Sequence, residues 1–399
     1  MTAVVVAGAV AALGVSASFA WADPQAKAGH AGRGTLVSAD HLRSMSVGDA
    51  KAALDKAGFA TDSLEYDVEL YRLEYRTVDP HGKHVTASGL LALPDNHSRK
   101  LTAVSYAHGT ELAKSSAPST GTDTWDIAPA VTYGSSGFAA VAPDYVGMGT
   151  GDGAHPWMDV PSETTASVDM LRAAREYTTH HGRQLRHDVM ITGFSQGASA
   201  ATGLADSLDN GGDDWFTVGA LAPISGAYHW SQWLRDATSG GISPKEATVY
   251  LAYWLVSWDR TNDIYGDPSE VFAAPYDKTV PPLLDGEHDP QDVVAALPDT
   301  PDELLTPHAK DMIAHPTGNL AKALEVADGT CSDAASEAPT RLYFASGDAE
   351  VPGSNSRYCR SEFAKQGVDV GLNDLGDHAH LETNQIGTAK VVRWFESLS

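Results

Sequence analysis

The five residues Gly193-Phe194-Ser195-Gln196-Gly197 restrict the fold of this chain more than any other stretch. The pattern is common enough by chance, and its flanks give it weight. Val189-Met190-Ile191-Thr192 before it reads as a buried strand, and Ala198–Leu208 after it as a helix of small residues. A strand that turns into a helix across one serine strains that serine's backbone, and glycines on either side leave room for neighbouring main chain. The serine hydroxyl then projects above the carboxyl ends of the strands, beside the positive end of the helix.

The surrounding sequence agrees with a doubly wound α/β sheet. Tyr66–Val78 and His84–Leu93 flank the turn Asp79-Pro80-His81-Gly82, which predicts an antiparallel hairpin. Leu101–Tyr106, Phe138–Pro143, Val189–Gly193, Val218–Pro223 and Arg341–Ala345 are short apolar runs suited to strands buried on both faces of a parallel sheet. Helical patterns at Ser162–Thr179 and Gln196–Leu208 fall between them. Earlier, Asp40–Phe59 has helical spacing at Leu42, Met45, Ala50 and Leu54, which predicts a helical hairpin or one broken helix. The alternation stops after Ser225. Ala227–Ala335 carries mainly helical patterns, proline-rich turns and four of the nine tryptophans, Trp230, Trp233, Trp254 and Trp258. Strand-like sequence resumes at Arg341, so this stretch reads as a helical insertion.

A serine in such a turn needs a base, and the base an orienting acid, in the chain order Ser, then Asp or Glu, then His. Asp348 lies just beyond the strand-like Arg341–Ala345, which favours it over Glu350. Gly376-Asp377-His378-Ala379-His380 lies after a further strand near Val368–Leu372, and a closing helix is expected at Thr388–Leu398. Either histidine could reach Ser195, since i, i+2 residues of an extended loop point in different directions. Donors for an oxyanion are expected from the backbone N–H of Gln196 and from the loop Tyr106-Ala107-His108-Gly109-Thr110, with Thr110 N–H the candidate and His108 holding the loop. Gly147, Gly149, Gly151 and Gly153 do not spell G-x-G-x-x-G and precede no Lys-Ser/Thr, so they read as a turn beside the mouth of the site rather than a nucleotide loop. His180-His181 and the remaining histidines read as surface residues, and no metal site is expected.

The 399 residues include 52 acidic and 27 basic side chains, a net charge of −25. That field repels phosphate backbones, so no nucleic-acid partner is expected and a neutral or apolar substrate fits better. Thr2–Ala20 carries no charge, and Ala20-Trp21-Ala22 has the small-x-small form of a processing site. Residues 1–22 therefore read as a signal peptide cleaved after Ala22, with a short membrane anchor as the alternative. In an oxidising compartment Cys331 and Cys359, the only cysteines, can form one intramolecular disulfide; otherwise they are two buried thiols.

Taken together, Tyr106-Ala107-His108-Gly109-Thr110, Ala142-Pro143-Asp144-Tyr145-x-Gly147-x-Gly149, His155-Pro156, the Gly193–Gly197 turn and the helical insertion resemble the secretory-lipase family of α/β-hydrolases, the Candida lipase A-like group. The resemblance runs over roughly residues 65 to 397. It implies an α/β-hydrolase fold with a mostly parallel central sheet and an inserted helical cap: flexible lead-in 23–39, core 40–225 and 336–399, cap 226–335. It implies Ser195 as nucleophile, Asp348 as acid and His380 as base, with Thr110 and Gln196 as oxyanion donors. The activity expected is secreted ester hydrolysis through an acyl-enzyme, by a monomer that needs no cofactor and touches lipid interfaces transiently. The alternatives are a peptidase of the same fold and a non-catalytic binding protein. Tyr250–Trp258 would line an acyl-binding site, face a lipid surface or form the cap's own core.

Overall fold

The computed structural model describes residues 32–332 and 338–399. The expected signal segment 1–22 and the start of the lead-in, 23–31, lie outside the described residues.

Among the described residues nine strands form one sheet: β1 (Leu36–Met45), β2 (Val68–Val78), β3 (His84–Pro94), β4 (Lys100–Ala107), β5 (Ala139–Pro143), β6 (Gln184–Phe194), β7 (Thr217–Ile224), β8 (Arg341–Phe344) and β9 (Gly371–Asp374). Their order is β1-β2-β3-β5-β4-β6-β7-β8-β9. The β1–β2, β2–β3 and β3–β5 pairs are antiparallel, and every pair from β5 to β9 is parallel. This is the α/β-hydrolase architecture, with the hairpin where the sequence put it. Because β4 lies between β5 and β6, the connections leaving β4 and β6 run to opposite sides, and the crevice above their carboxyl ends is where such sheets bind ligands.

Helices cover both faces. On one pack α1 (Val47–Lys56), α2 (Thr124–Ser135) and the C-terminal helix (His380–Glu396), which bury Leu54, Ile127, Tyr133, Val391 and Phe395. On the other lie α3 (Val160–His180) and α4 (Gln196–Asp209), burying Leu171, Ala201 and Leu204. Between β7 and β8 the chain forms α5 (Trp230–Ser239), α6 (Pro244–Asn262), several short helical turns and α7 (Gly318–Asp328). These share an apolar cluster of their own around Trp230, Trp233, Trp254 and Trp258. Trp254 and Trp258 are fully buried, so most of the aromatic run Tyr250–Trp258 is interior rather than a lipid-facing surface. Among the described residues no helix is long and apolar enough to cross a membrane.

Three local readings need correction. Residues 36–45, divided above between lead-in and helix, form the edge strand β1, and only Val47–Lys56 is helical. The strand was hard to read because both its faces meet solvent: Leu42 is 39% exposed. Polar pairs hold it instead, Arg72 to Asp40 and Ser44 to Glu69, with the backbone ladder to β2. The strand expected near Val368–Leu372 begins at Gly371, so it overlaps only the last two residues of that window. The closing helix starts at His380 rather than Thr388, because Glu382 accepts the Ala379 N–H at 2.9 Å and caps an earlier turn.

Cys331, at the end of the inserted helices, is joined by a disulfide to Cys359 on α8 (Ser354–Lys365), and both are buried. Replacing the pair with alanines is expected to lower unfolding stability by about 3–4 kcal/mol on the loop-entropy account, read as a drop in the urea midpoint. The C-terminal helix is α9 below.

Candidate active site

The turn at the end of β6 is built as the sequence requires. Ser195 has φ +57° and ψ −118°, outside the regions where side chains sit comfortably. Its N–H donates to Ile224 O on β7 at 2.9 Å, which fixes the turn to the sheet. A Cβ on Gly193 would strike the carbonyl of Gly197, and one on Gly197 the carbonyl of Ala107. The main chain of the 107–110 loop therefore lies directly against the turn. Gly109 allows the same closeness, since a Cβ there would be 2.8 Å from the Phe194 ring.

Ser195, His380 and Asp348 meet above the strand ends. Ser195 Oγ donates to His380 Nε2 at 2.8 Å, and His380 Nδ1–H donates to Asp348 Oδ2 at 2.7 Å. A carboxylate only accepts, so it fixes the proton on Nδ1 and leaves Nε2 free to accept. Asp348 Oδ1 accepts the N–H groups of Glu350 at 3.0 Å and Val351 at 2.8 Å, which hold the carboxylate in one orientation. All three residues are buried: Ser195 is 8% exposed, Asp348 5% and His380 2%. Such a chain can draw the proton from the serine hydroxyl as its oxygen attacks. His378 points elsewhere; its Nδ1 lies 3.3 Å from Glu382, and its side chain is 38% exposed. Glu350 accepts from Tyr250 Oη at 2.9 Å and is not bonded to either histidine.

The loops that carry Asp348 and His380 are joined by residues for which the sequence gives no signal. Asp374 accepts the N–H groups of Ser346 and Gly376, tying the end of β9 to the loop after β8. Gly347 lets that loop touch the next, since a Cβ there would lie 2.8 Å from His378 N and collide with Asp377.

Thr110 and Gln196 flank the turn, and among the described residues neither backbone N–H donates a hydrogen bond. His108 is structural as expected: buried, its ring nitrogens face the carbonyls of Gly109 and Asp144, and burial pushes its pKa down to about 4. The glycine-rich stretch follows Asp144 and Tyr145, whose side chains support the 107–110 loop and its neighbours. Buried Asp144 accepts from Ser88 at 2.6 Å and from Ser119 N–H at 2.9 Å, Gly149 lies against both Asp144 and Ser88, and Tyr145 Oη donates to His108 O at 3.0 Å. His155, read as a surface residue, is 5% exposed. Its Nδ1–H donates to Val146 O at 3.0 Å, and its ring stacks on Tyr145.

An aromatic layer ties the inserted helices to these loops. Trp157 stacks on Tyr253 at 4.8 Å, and its Nε1–H donates to Thr110 Oγ1 at 3.0 Å. Trp233 Nε1–H donates to Glu350 O at 2.8 Å. Sequence offered no periodic signal for either bond, because each joins residues 47 or more positions apart.

One titrating group near the turn has a consequence for stability. Glu163 is fully buried, and burial pushes its carboxyl up to about 8. The folded protein therefore keeps a proton that the unfolded chain releases near pH 4.5. The stability this contributes is complete below that value and is lost as pH rises to about 8, by about 1.4 kcal/mol per pH unit. Urea unfolding at pH 5.5 and 7.5 should show Glu163→Gln losing about 2–3 kcal/mol less than the parent over that interval.

Comparison with known proteins adds to this geometry. No protein-family model and no curated protein matches the sequence. Among solved structures, a Legionella pneumophila protein described as a hydrolase superposes with a TM-score of 0.84 at 27% identity, covering 91% of this chain and 98% of that one. The rice cell wall degrading esterase LipA from Xanthomonas oryzae gives 0.81 at 26% identity, again covering 91% and 98%. Candida antarctica lipase A in its closed state shares the fold, with a TM-score of 0.67 at 16% identity, covering 92% and 82%.

Proposed function

We propose that this chain, a lipase-like α/β-hydrolase, is a secreted serine ester hydrolase, a lipase or carboxylesterase working through an acyl-enzyme. The observation that carries the reading is the hydrogen-bonded series from Asp348 through His380 to Ser195, at the strand ends and on a strained turn. His380 Nε2 takes the proton of Ser195 as Oγ attacks the ester carbonyl, while Asp348 stabilises the imidazolium that forms. The backbone N–H groups of Thr110 and Gln196 hold the developing oxyanion. His380 then returns the proton to the leaving alcohol, and water releases the acid by the same steps in reverse. Residues 226–335 act as the cap that sets access and acyl length. The buried disulfide fits an oxidising compartment. N-terminal sequencing of the exported protein should begin at Asp23.

The test is hydrolysis of nitrophenyl esters from acetate to palmitate by the mature protein, with labelling by an organophosphonate. Turnover together with one label on Ser195 supports the reading, and the chain-length maximum separates lipase from short-chain esterase. A protein that neither turns over esters nor labels would sink it. Cleavage of aminoacyl nitroanilides in place of esters would move it to a peptidase.

A further inference from the structure

The residue after Ser195 has a side chain held by polar partners on two other segments of the chain. Gln196 is 1% exposed, and its amide donates both hydrogens, to His155 Nε2 at 2.8 Å and to Glu163 Oε1 at 2.7 Å. His155 can accept because its other nitrogen is committed to Val146 O. Glu163 Oε1 also accepts the Met158 N–H at 3.1 Å. Glu163 comes from the first turn of α3, so Gln196 is clamped between that helix and the loop after β5.

We propose that Glu163 is a positioning residue: through the Gln196 side-chain amide it fixes the Gln196 backbone N–H where an oxyanion would form. The inference rests on Ser195 being the nucleophile. The clamp also reaches the other donor. Met158, whose N–H Glu163 holds, follows Trp157, which donates to Thr110. Val146, which anchors His155, follows Tyr145, which holds His108 O beside Gly109 and Thr110. Both donors therefore hang from one framework, whose two arms meet at the Gln196 side-chain amide, one of them through Glu163.

The network is expensive for a purely structural element. Glu163 Oε2 and Gln196 Oε1 are buried without partners among the described residues, and packed apolar side chains would avoid that loss. The charged or titratable groups facing Glu163 are Asp159, Tyr145, Tyr253 and the uncharged His155, none of which supplies a positive charge. The carboxyl is thus held as a neutral acid whose carbonyl oxygen does the accepting. A glutamine can copy that role, and a leucine cannot.

The experiment compares parent, E163L, E163Q and Q196L at pH 7 by kcat and KM on a nitrophenyl ester and by the rate of phosphonylation. Phosphonylation needs the nucleophile and the oxyanion donors whatever the natural acyl group. E163L is expected to slow kcat and labelling about 10- to 100-fold with KM within about threefold, since the donor is used in the transition state. E163Q restores the rate to within about threefold of the parent. Q196L keeps the backbone N–H and should lose the same factor as E163L, and the double variant E163L/Q196L should lose no more. A structural role alone would lower melting temperature without moving these rates. Labelling of folded E163L within twofold of the parent would overturn the proposal. If E163L does not fold, a Q196L rate near that of the parent, or E163Q as slow as Q196L, would do the same. A parent that neither turns over esters nor labels sinks the nucleophile reading and this inference with it. An active, labelled parent with unaffected variants sinks only the inference.

Discussion

Alanine at Ser195 or at His380 is expected to lower kcat for ester hydrolysis by about a millionfold, and the double variant by no more than either alone. The two side chains form one device, joined by the 2.8 Å bond between Oγ and Nε2, and removing either leaves only the contribution of binding and the oxyanion donors. Asp348→Asn should cost about ten thousandfold. Its amide can present an N–H to Nδ1, which would move the imidazole proton to Nε2 and leave Ser195 without an acceptor. His378→Ala should stay within about twofold of the parent, because its ring is bonded to Glu382 and to neither Ser195 nor Asp348. The readout is initial rate on one nitrophenyl ester at saturating substrate. A large loss in His378→Ala with His380→Ala active would reverse the assignment.

The second large effect is on stability. Gly197→Ala is expected to cost about 4 kcal/mol or more, or to prevent folded protein from accumulating. The added Cβ would meet the carbonyl of Ala107 and lie 2.5 Å from the carbonyl of His108. Both are backbone atoms, so no side chain can swing aside, and moving β6 from β4 would break the parallel ladder that pairs Ala107 with Gly193. Gly182→Ala is the control. Gly182 also has positive φ, at +73°, but nothing lies within 4 Å of its Cβ position, so only conformational strain of about 1 kcal/mol is expected. Urea midpoints of the two variants measure the difference.

How much of this was readable in advance depends on how local each cause is. The hairpin, the parallel strands and the turn at Ser195 were legible because alternation, short apolar runs and paired glycines act over a few residues. Asp348 stood out because it lies just beyond the end of a strand, and in the fold its carboxylate accepts from His380. Spacing left both His378 and His380 within reach of Ser195. In the fold α9 begins at His380, under a cap supplied by Glu382, and it is His380 that bonds Ser195 and Asp348. β1 was misread because an edge strand with two solvated faces carries no apolar period.

The sequence by itself determined the doubly wound sheet, the strained serine and the order of Ser, Asp and His, because these follow from sterics and patterning along the chain. Only the tertiary structure decided that Glu163 and His155 clamp Gln196, that Trp157 reaches Thr110, and that Asp374 and Gly347 bring the loops of Asp348 and His380 together. Those contacts join residues far apart in the chain, and a buried hydrogen bond leaves no period in the sequence. It is fixed by the packing of helices and loops around the strand ends, where an unpaired polar group would cost more than the bond it makes.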